Sequence, residues 1–124
     1  SMTVTFPADN KGTVTVRALR FIESNLFEDI DLEKIAEASF ASVSTLLRKF
    51  KSDVGVTPYV YIKNRRLEEA LRLLKTGQHP VGDVALLVGY ESFGAFSEAF
   101  KEKYMQSPSN YKNLSVDSTF VDVF

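Results

Sequence analysis

The sequence predicts an all-α fold of seven helices, two homeodomain-like three-helix units joined by a long central helix. Three observations predict it. Apolar residues recur at steps of three and four, the period of a helix with one buried face. Helix punctuation falls between those stretches: Asp31, Ser42, Thr57 and Ser92 as N-caps, Gly55, Gly77 and Gly89 at ends and turns. The third observation is an internal repeat. Ser42, Leu46, Phe50, Lys51, Thr57, Pro58 and Tyr61 match Ser92, Phe96, Phe100, Lys101, Ser107, Pro108 and Tyr111 at a constant offset of 50. Leu32, Ile35 and Ala36 match Val81, Val84 and Ala85 at an offset of 49, so the first copy has the shorter turn by one residue. A repeat of short helix, tight turn and second helix describes two helix-turn-helix subdomains.

The elements follow in order. Residues 1–12 are a linker or short strand, because Thr3-Val4-Thr5-Phe6 alternates and Pro7 stops it. The first helix-turn-helix subdomain spans 13–56. It opens with a helix over about Thr13–Leu26, where Val16, Leu19, Ile22 and Leu26 share a face. Asp31 caps a short helix over Leu32–Ala38, and Ser42 caps the next, Val43–Val54, which Gly55 ends. The connecting helix occupies 57–76. Thr57 is its cap, Pro58 sits where a missing N–H costs nothing, and Gly77 terminates it. The second subdomain, 77–112, holds a short helix over Val81–Val88, a turn at Gly89, a helix over Phe93–Lys103 and a last one from Pro108 to about Lys112. The tail, 113–124, is apolar at Val116, Phe120, Val121, Val123 and Phe124 without helical spacing. It pairs with the N-terminal segment, docks on a partner, or is loose.

Composition excludes several classes. The 124 residues contain no Cys, so disulfides and thiolate chemistry are absent. The single His79 sits in a turn beside Pro80, which argues against a His metal site. No cofactor is expected, since no phosphate loop and no dinucleotide or zinc-protease motif occurs. No nucleophile lies in a local catalytic motif, and Glu68-Glu69 and Glu28-Asp29 read as solvated charge, so no enzyme is expected. No apolar run is long enough for a membrane span and no leader precedes the chain, so a cytoplasmic location is expected.

The net charge of −1 hides a pattern. Residues 48–75 carry eight basic side chains (Arg48, Lys49, Lys51, Lys63, Arg65, Arg66, Arg72, Lys75) against Asp53, Glu68 and Glu69. The flanking stretches are both acidic. A local basic stretch suits phosphate contact, although a solvated helix face reads the same way.

In a helix-turn-helix, the first turns of the second helix enter the major groove. Those positions are Val43, Ser44, Leu47 and Arg48 in the first copy and Phe93, Gly94, Ser97 and Glu98 in the second. Arg48 is the foremost base reader, since a guanidinium bonds both acceptors of a guanine edge. Ser44 bonds a base or phosphate, and Val43 suits a thymine methyl. Leu47 is either a contact or core. Phe93 is either a methyl contact or core, Gly94 allows close approach or internal packing, and Glu98 accepts from cytosine but repels phosphates. Lys49, Lys51, Lys63, Arg65 and Lys101 are phosphate candidates. Arg66 is expected to pair with a carboxylate such as Glu69. The first copy should dominate sequence reading, with the second contributing weakly or bending the DNA.

The stretches IAEASFASVSTLLRKFKSDVGVTPYVYIKNRRLEEALRLLKTG and PVGDVALLVGYESFGAFSEAFKEKYMQSPSNYK resemble the paired helix-turn-helix domain of AraC/XylS transcription regulators. The resemblance covers about Val14 to Lys112 and is most specific in VALLVGYESFGAFSEAFK followed by SPSNYK. It implies a sequence-specific double-stranded DNA-binding output domain of a bacterial regulator, an activator, with both recognition helices in successive major grooves. It also implies RNA polymerase as a second partner and a separate N-terminal effector or dimerisation domain; with no heptad run or dimer helix, the fragment itself is expected to be monomeric. The sequence departs from the family at Phe40, where the turn usually holds Gly. A bulky residue at positive φ is strained, so the turn should differ or Phe40 should be packed in. Met105 replaces the glycine that the first copy keeps as Gly55, and the second recognition helix lacks the family's polar and basic readers. The alternative, on the same scaffold, is a protein-interaction module with weak or non-specific DNA binding.

Overall fold

The computed structural model of the protein describes residues 12–111; the strand-like N-terminal segment and the apolar tail read from the sequence lie outside the described residues. Among the described residues there are seven helical segments and no strand. They are α1 (Thr13–Ser24), α2 (Leu32–Ala38), α3 (Val43–Val54), α4 (Pro58–Thr76), α5 (Val81–Leu87) and α6 (Phe93–Tyr104), with α7 starting at Pro108 and helical over 108–111. The chain divides into two compact units between Lys63 and Asn64, inside α4.

The expected caps are in place. Asp31 accepts from the Lys34 amide at 2.8 Å, Ser42 from Thr45 at 3.1 Å, Thr57 from Val60 at 3.3 Å and Ser92 from Ala95 at 3.1 Å. Each hydroxyl or carboxylate satisfies an amide that the first helical turn leaves unbonded. Three boundaries differ from expectation by one or two residues: α1 ends at Ser24 rather than Leu26, α5 at Leu87 rather than Val88, and α6 at Tyr104 rather than Lys103. The Asn25 side chain donates to the Phe21 carbonyl at 2.9 Å, so a short amide takes over the last turn. Leu26 is still buried, reaching the core from the turn beyond the helix.

The first unit buries Ala18, Ile22, Leu26, Ile35, Ala36, Leu46 and Phe50, with Tyr61 and Ile62 packed at the margin. Asp53, near the end of α3, ties down the start of α1. One carboxylate oxygen accepts from the Gly12 amide at 3.0 Å and from the buried Thr15 hydroxyl at 2.7 Å. Gly12 has no capping side chain of its own, so an acid from another helix caps α1 and complements its positive end.

The second unit buries Leu67, Ala70 and Leu74 from α4 with Val84, Ala85, Val88, Phe96 and Phe100. Here the C-terminal half of α4 supplies the bracing face that α1 supplies in the first unit. The core is aromatic: Phe96, Phe100, Tyr104 and Tyr111 are linked by ring contacts of 4.7–5.8 Å. Burial holds the Tyr104 phenol above its usual pKa, with Glu68 and Tyr111 adding to the effect. The repeat extends to ring geometry. Phe50–Tyr61 and Phe100–Tyr111 are both edge-to-face pairs, at 5.8 Å and 5.6 Å and both at 77°.

The turn at Phe40 overturns both expectations for it. Phe40 has φ +56° and Gly89, its counterpart, φ +94°. Both turns close with the same pair of backbone bonds: Phe40 to Glu37 and Ala41 to Ala36, Gly89 to Leu86 and Tyr90 to Ala85, all at 3.0–3.1 Å. This is the double closure that satisfies the last carbonyls of a helix through a left-handed residue. So the turn keeps the geometry a glycine would give, and Phe40 is not packed in but 79% exposed. The Arg17 guanidinium lies 4.8 Å from its ring centre, a cation–π contact that offsets part of the strain. At the other turn the roles reverse. Gly55 ends α3 at φ +96°, and Met105 ends α6 at φ +64°.

Candidate nucleic-acid interface

The Ser42 cap fixes where α3 starts, and the core fixes its rotation. Leu46 and Phe50 are wholly buried, and Val43 packs half-buried at the edge of the same core. At about 100° per residue, that leaves Ser44, Leu47, Arg48 and Lys51 on one outward stripe, spaced i, i+3, i+4 and i+7. These four line an open hollow with Ser52 and Thr57. Leu47 is therefore a half-buried wall of this surface and not part of the core. Arg48 is exposed and has no ion-pair or hydrogen-bond partner among the described residues. Its charge is free to meet an anion or a base edge. Lys49, one step further round the helix, falls outside the hollow. Asp53, the helix's one acid, faces α1.

Ser52 and Thr57 were missed from sequence as members of this surface. The signal for Ser52 was its place four residues after Arg48. Thr57 was visible only as a cap.

The second unit presents Gly94, Ser97, Glu98 and Lys101 at the equivalent positions, each 50 residues on. Phe93 is 49% exposed, which removes the reading of it as simple core, although it leans on Phe96 at 6.3 Å. A Cβ built on Gly94 meets no atom within 4 Å, so packing inside the protein does not require glycine there. Glu98 and Lys101 are exposed and carry opposite charges on one stripe. The α3 stripe is cationic and the α6 stripe is balanced.

The phosphate candidates separate in the same way. Lys51 and Lys101 are exposed and Lys49 is half-buried. Arg65 is engaged within α4, bonding Glu68 at 3.0 Å and Glu69 at 3.5 Å. Glu69 takes Arg65 and Arg72, the latter at 2.9 Å, and Arg66 is engaged as well. Lys63 is half-buried on the same helix. Among the described residues no cluster of His, Asp or Glu is arranged to hold a metal ion, and no helix is long and apolar enough to cross a membrane.

Comparison with known proteins agrees with this geometry. The family described as "Helix-turn-helix domain" matches residues 35–113. The "Probable transcriptional regulator LumQ" of Photobacterium leiognathi is 35% identical over 92 residues, covering 74% of this chain and 37% of that protein. The "XylDLEGF operon transcriptional activator 2" of Pseudomonas putida is 34% identical over 101 residues, 79% of this chain and 64% of that protein. Among solved structures, the DNA-binding domain of AdpA in complex with a target DNA superimposes with a TM-score of 0.77. It is 27% identical, covering 83% of this chain and 93% of that one. The chain thus spans about a third of the length of the first curated relatives it matches. Two capped helix-turn-helix units carried on one long helix, matched by sequence and by fold, make the chain a member of the AraC-type family of helix-turn-helix DNA-binding domains.

Proposed function

We propose that this domain reads double-stranded DNA in successive major grooves, as the output module of a bacterial transcription regulator, with α3 as the main reader. One observation carries the proposal: Arg48 stands unpaired among the described residues, in line with Ser44, Leu47 and Lys51 on the exposed face of a capped helix. Arg48 bonds a guanine edge, Ser44 a neighbouring base or phosphate, and Val43 touches bases from the edge of the core. Lys51, Lys49, Lys63 and Lys101 neutralise phosphates, which adds affinity without reading sequence. Arg65 contributes there only by leaving its ion pairs. On α6, Phe93 and Gly94 allow close apolar contact, and Ser97 and Glu98 make the weaker polar ones.

The domain's role is that of an activator, which the similarity to the Pseudomonas putida operon activator supports, with RNA polymerase as second partner. An effector or dimerisation domain is a further partner, the isolated domain is a monomer, and the setting is the bacterial cytoplasm. The chemistry is binding, with no catalytic step. The test is selection of this chain on a random duplex pool, repeated with Arg48→Ala. An enriched motif that loses one guanine preference in the variant supports the reading. Absence of any enriched motif at low salt sinks it.

A second reading has its own observation. Leu86, Leu87 and Phe93 leave much of their apolar surface exposed on the second unit, as a protein-contact face does. Association with a protein that is insensitive to salt, with only non-specific duplex binding, would favour it.

A further inference from the structure

From the hollow beside Arg48 we infer that Leu47 makes this domain a reader of the pyrimidine C5-methyl group, at the base pair next to the guanine that Arg48 contacts. The inference rests on the DNA-reading function proposed above and specifies its target: thymine, or 5-methylcytosine, at one defined position.

The argument starts from what a recognition helix normally exposes. An outward position on such a helix is usually polar, because it must survive in water when DNA is absent. Leu47 breaks that pattern. It lies one residue from Arg48 on the outward stripe, half-buried, and it is not among the residues of the core that Leu46 and Phe50 fill. The hollow it lines is mostly carbon at its surface, with hydroxyls from Ser44, Ser52 and Thr57 and cations from Arg48 and Lys51 around it. That ring of donors and cations suits a groove edged by phosphates and base acceptors. The apolar wall suits the single apolar group that the major groove offers, the C5-methyl. No other apolar feature of DNA projects there.

The second unit supplies an internal contrast. At the position equivalent to Leu47 it carries Ser97, and at that of Arg48 it carries Glu98. Methyl sensitivity is therefore assigned to the α3 half of the site alone.

The experiment uses the enriched duplex and replaces each thymine in turn by deoxyuridine, which removes the methyl and nothing else. Binding is measured for the wild-type chain and for Leu47→Ser, the residue its counterpart already has. The wild-type chain should bind about fourfold more weakly on deoxyuridine at one position beside the Arg48 guanine, the worth of one buried methyl. Leu47→Ser should lose that dependence while still binding the duplex. Cytosine at the same position should weaken wild-type binding, and 5-methylcytosine should restore it. If no thymine shows a methyl effect in the wild-type chain, or if Leu47→Ser retains the full effect, the inference is wrong although DNA reading stands. If no duplex is enriched at all, the DNA-reading function fails and this inference falls with it. Should Leu47→Ser not bind any duplex, the deoxyuridine and 5-methylcytosine series on the wild-type chain decides.

Discussion

The two units share a backbone plan and differ in what they hold inside it and show outside it. The same Ser cap, left-handed turn, buried pair and edge-to-face Phe–Tyr contact recur 50 residues apart. The first unit fills its core with Ile, Leu and Phe50 and draws in α1 through Asp53. The second fills its core with tilted and edge-packed rings. Outside, the first carries Leu47 and Arg48 where the second carries Ser97 and Glu98. The comparison separates two kinds of constraint. The Ser caps that start α3 and α6 and the buried positions that set their rotation are apolar or capping in both copies, because changing them moves everything else. Positions on the outward stripe vary in charge and size, because nothing in the fold depends on them.

The sharpest way to break the comparison is at the shared buried phenylalanine. Phe50→Ala and Phe100→Ala each should destabilise their unit by about 3–5 kcal/mol, through lost burial and the cavity left behind. Phe100 touches three other rings and Phe50 touches Tyr61, so Phe100→Ala should cost about 1 kcal/mol more. Denaturant unfolding of both variants checks this, and a larger loss for Phe50→Ala would contradict the aromatic account.

The outward stripe comes next. Arg48→Ala should weaken binding to a selected site by about tenfold or more, the scale of one lost guanine contact. Glu98→Ala should weaken it far less, because removing an acid also removes phosphate repulsion. Titration of both variants on one duplex decides, and the division of labour between α3 and α6 fails if Glu98→Ala is the costlier change.

Asp53→Ala tests the tie between α3 and α1. It leaves the buried Thr15 hydroxyl and the Gly12 amide without this acceptor, so a loss of about 2 kcal/mol is expected. Lys103, the residue 50 positions on, has no such role, and Lys103→Ala should stay within about 0.5 kcal/mol. Thermal unfolding of the pair measures the difference; equal shifts would mean the tie adds nothing.

The smallest effects are at the left-handed turns. Each unit has a glycine at one turn and a bulky residue at the other: Phe40 with Gly55, and Gly89 with Met105. Phe40→Gly and Met105→Gly should each stabilise by about 1 kcal/mol, the penalty a side chain meets in this conformation. Phe40→Gly should gain less, since it also removes the Arg17 contact. A loss of stability at Met105→Gly in a melting experiment would show that the turn is not strained.

Much of this was legible in the sequence because it is local. Asp31, Ser42, Thr57 and Ser92 mark helix starts by a bond that reaches only three residues along the chain, and Gly55 marks an end by its own backbone freedom. The repeat and the apolar period gave the seven helices and the identity of the two units. The candidate surface was partly legible: once Leu46 and Phe50 are inward, helix geometry turns Ser44, Arg48 and Lys51 outward.

What only the tertiary structure decided involves partners distant in sequence or a choice between equal local options. Asp53 looked like one more surface charge until α1 was folded against α3. Which carboxylates Arg65 reaches was likewise open, and helix packing brings both Glu68 and Glu69 to it. Leu47 carried an apolar side chain at a position compatible with core or surface, and only the folded unit leaves it half-buried outside the core. Phe40 violates the local rule for its turn. The helices on either side are held by the core they share, so the chain between them takes the left-handed path whether or not the residue there prefers it.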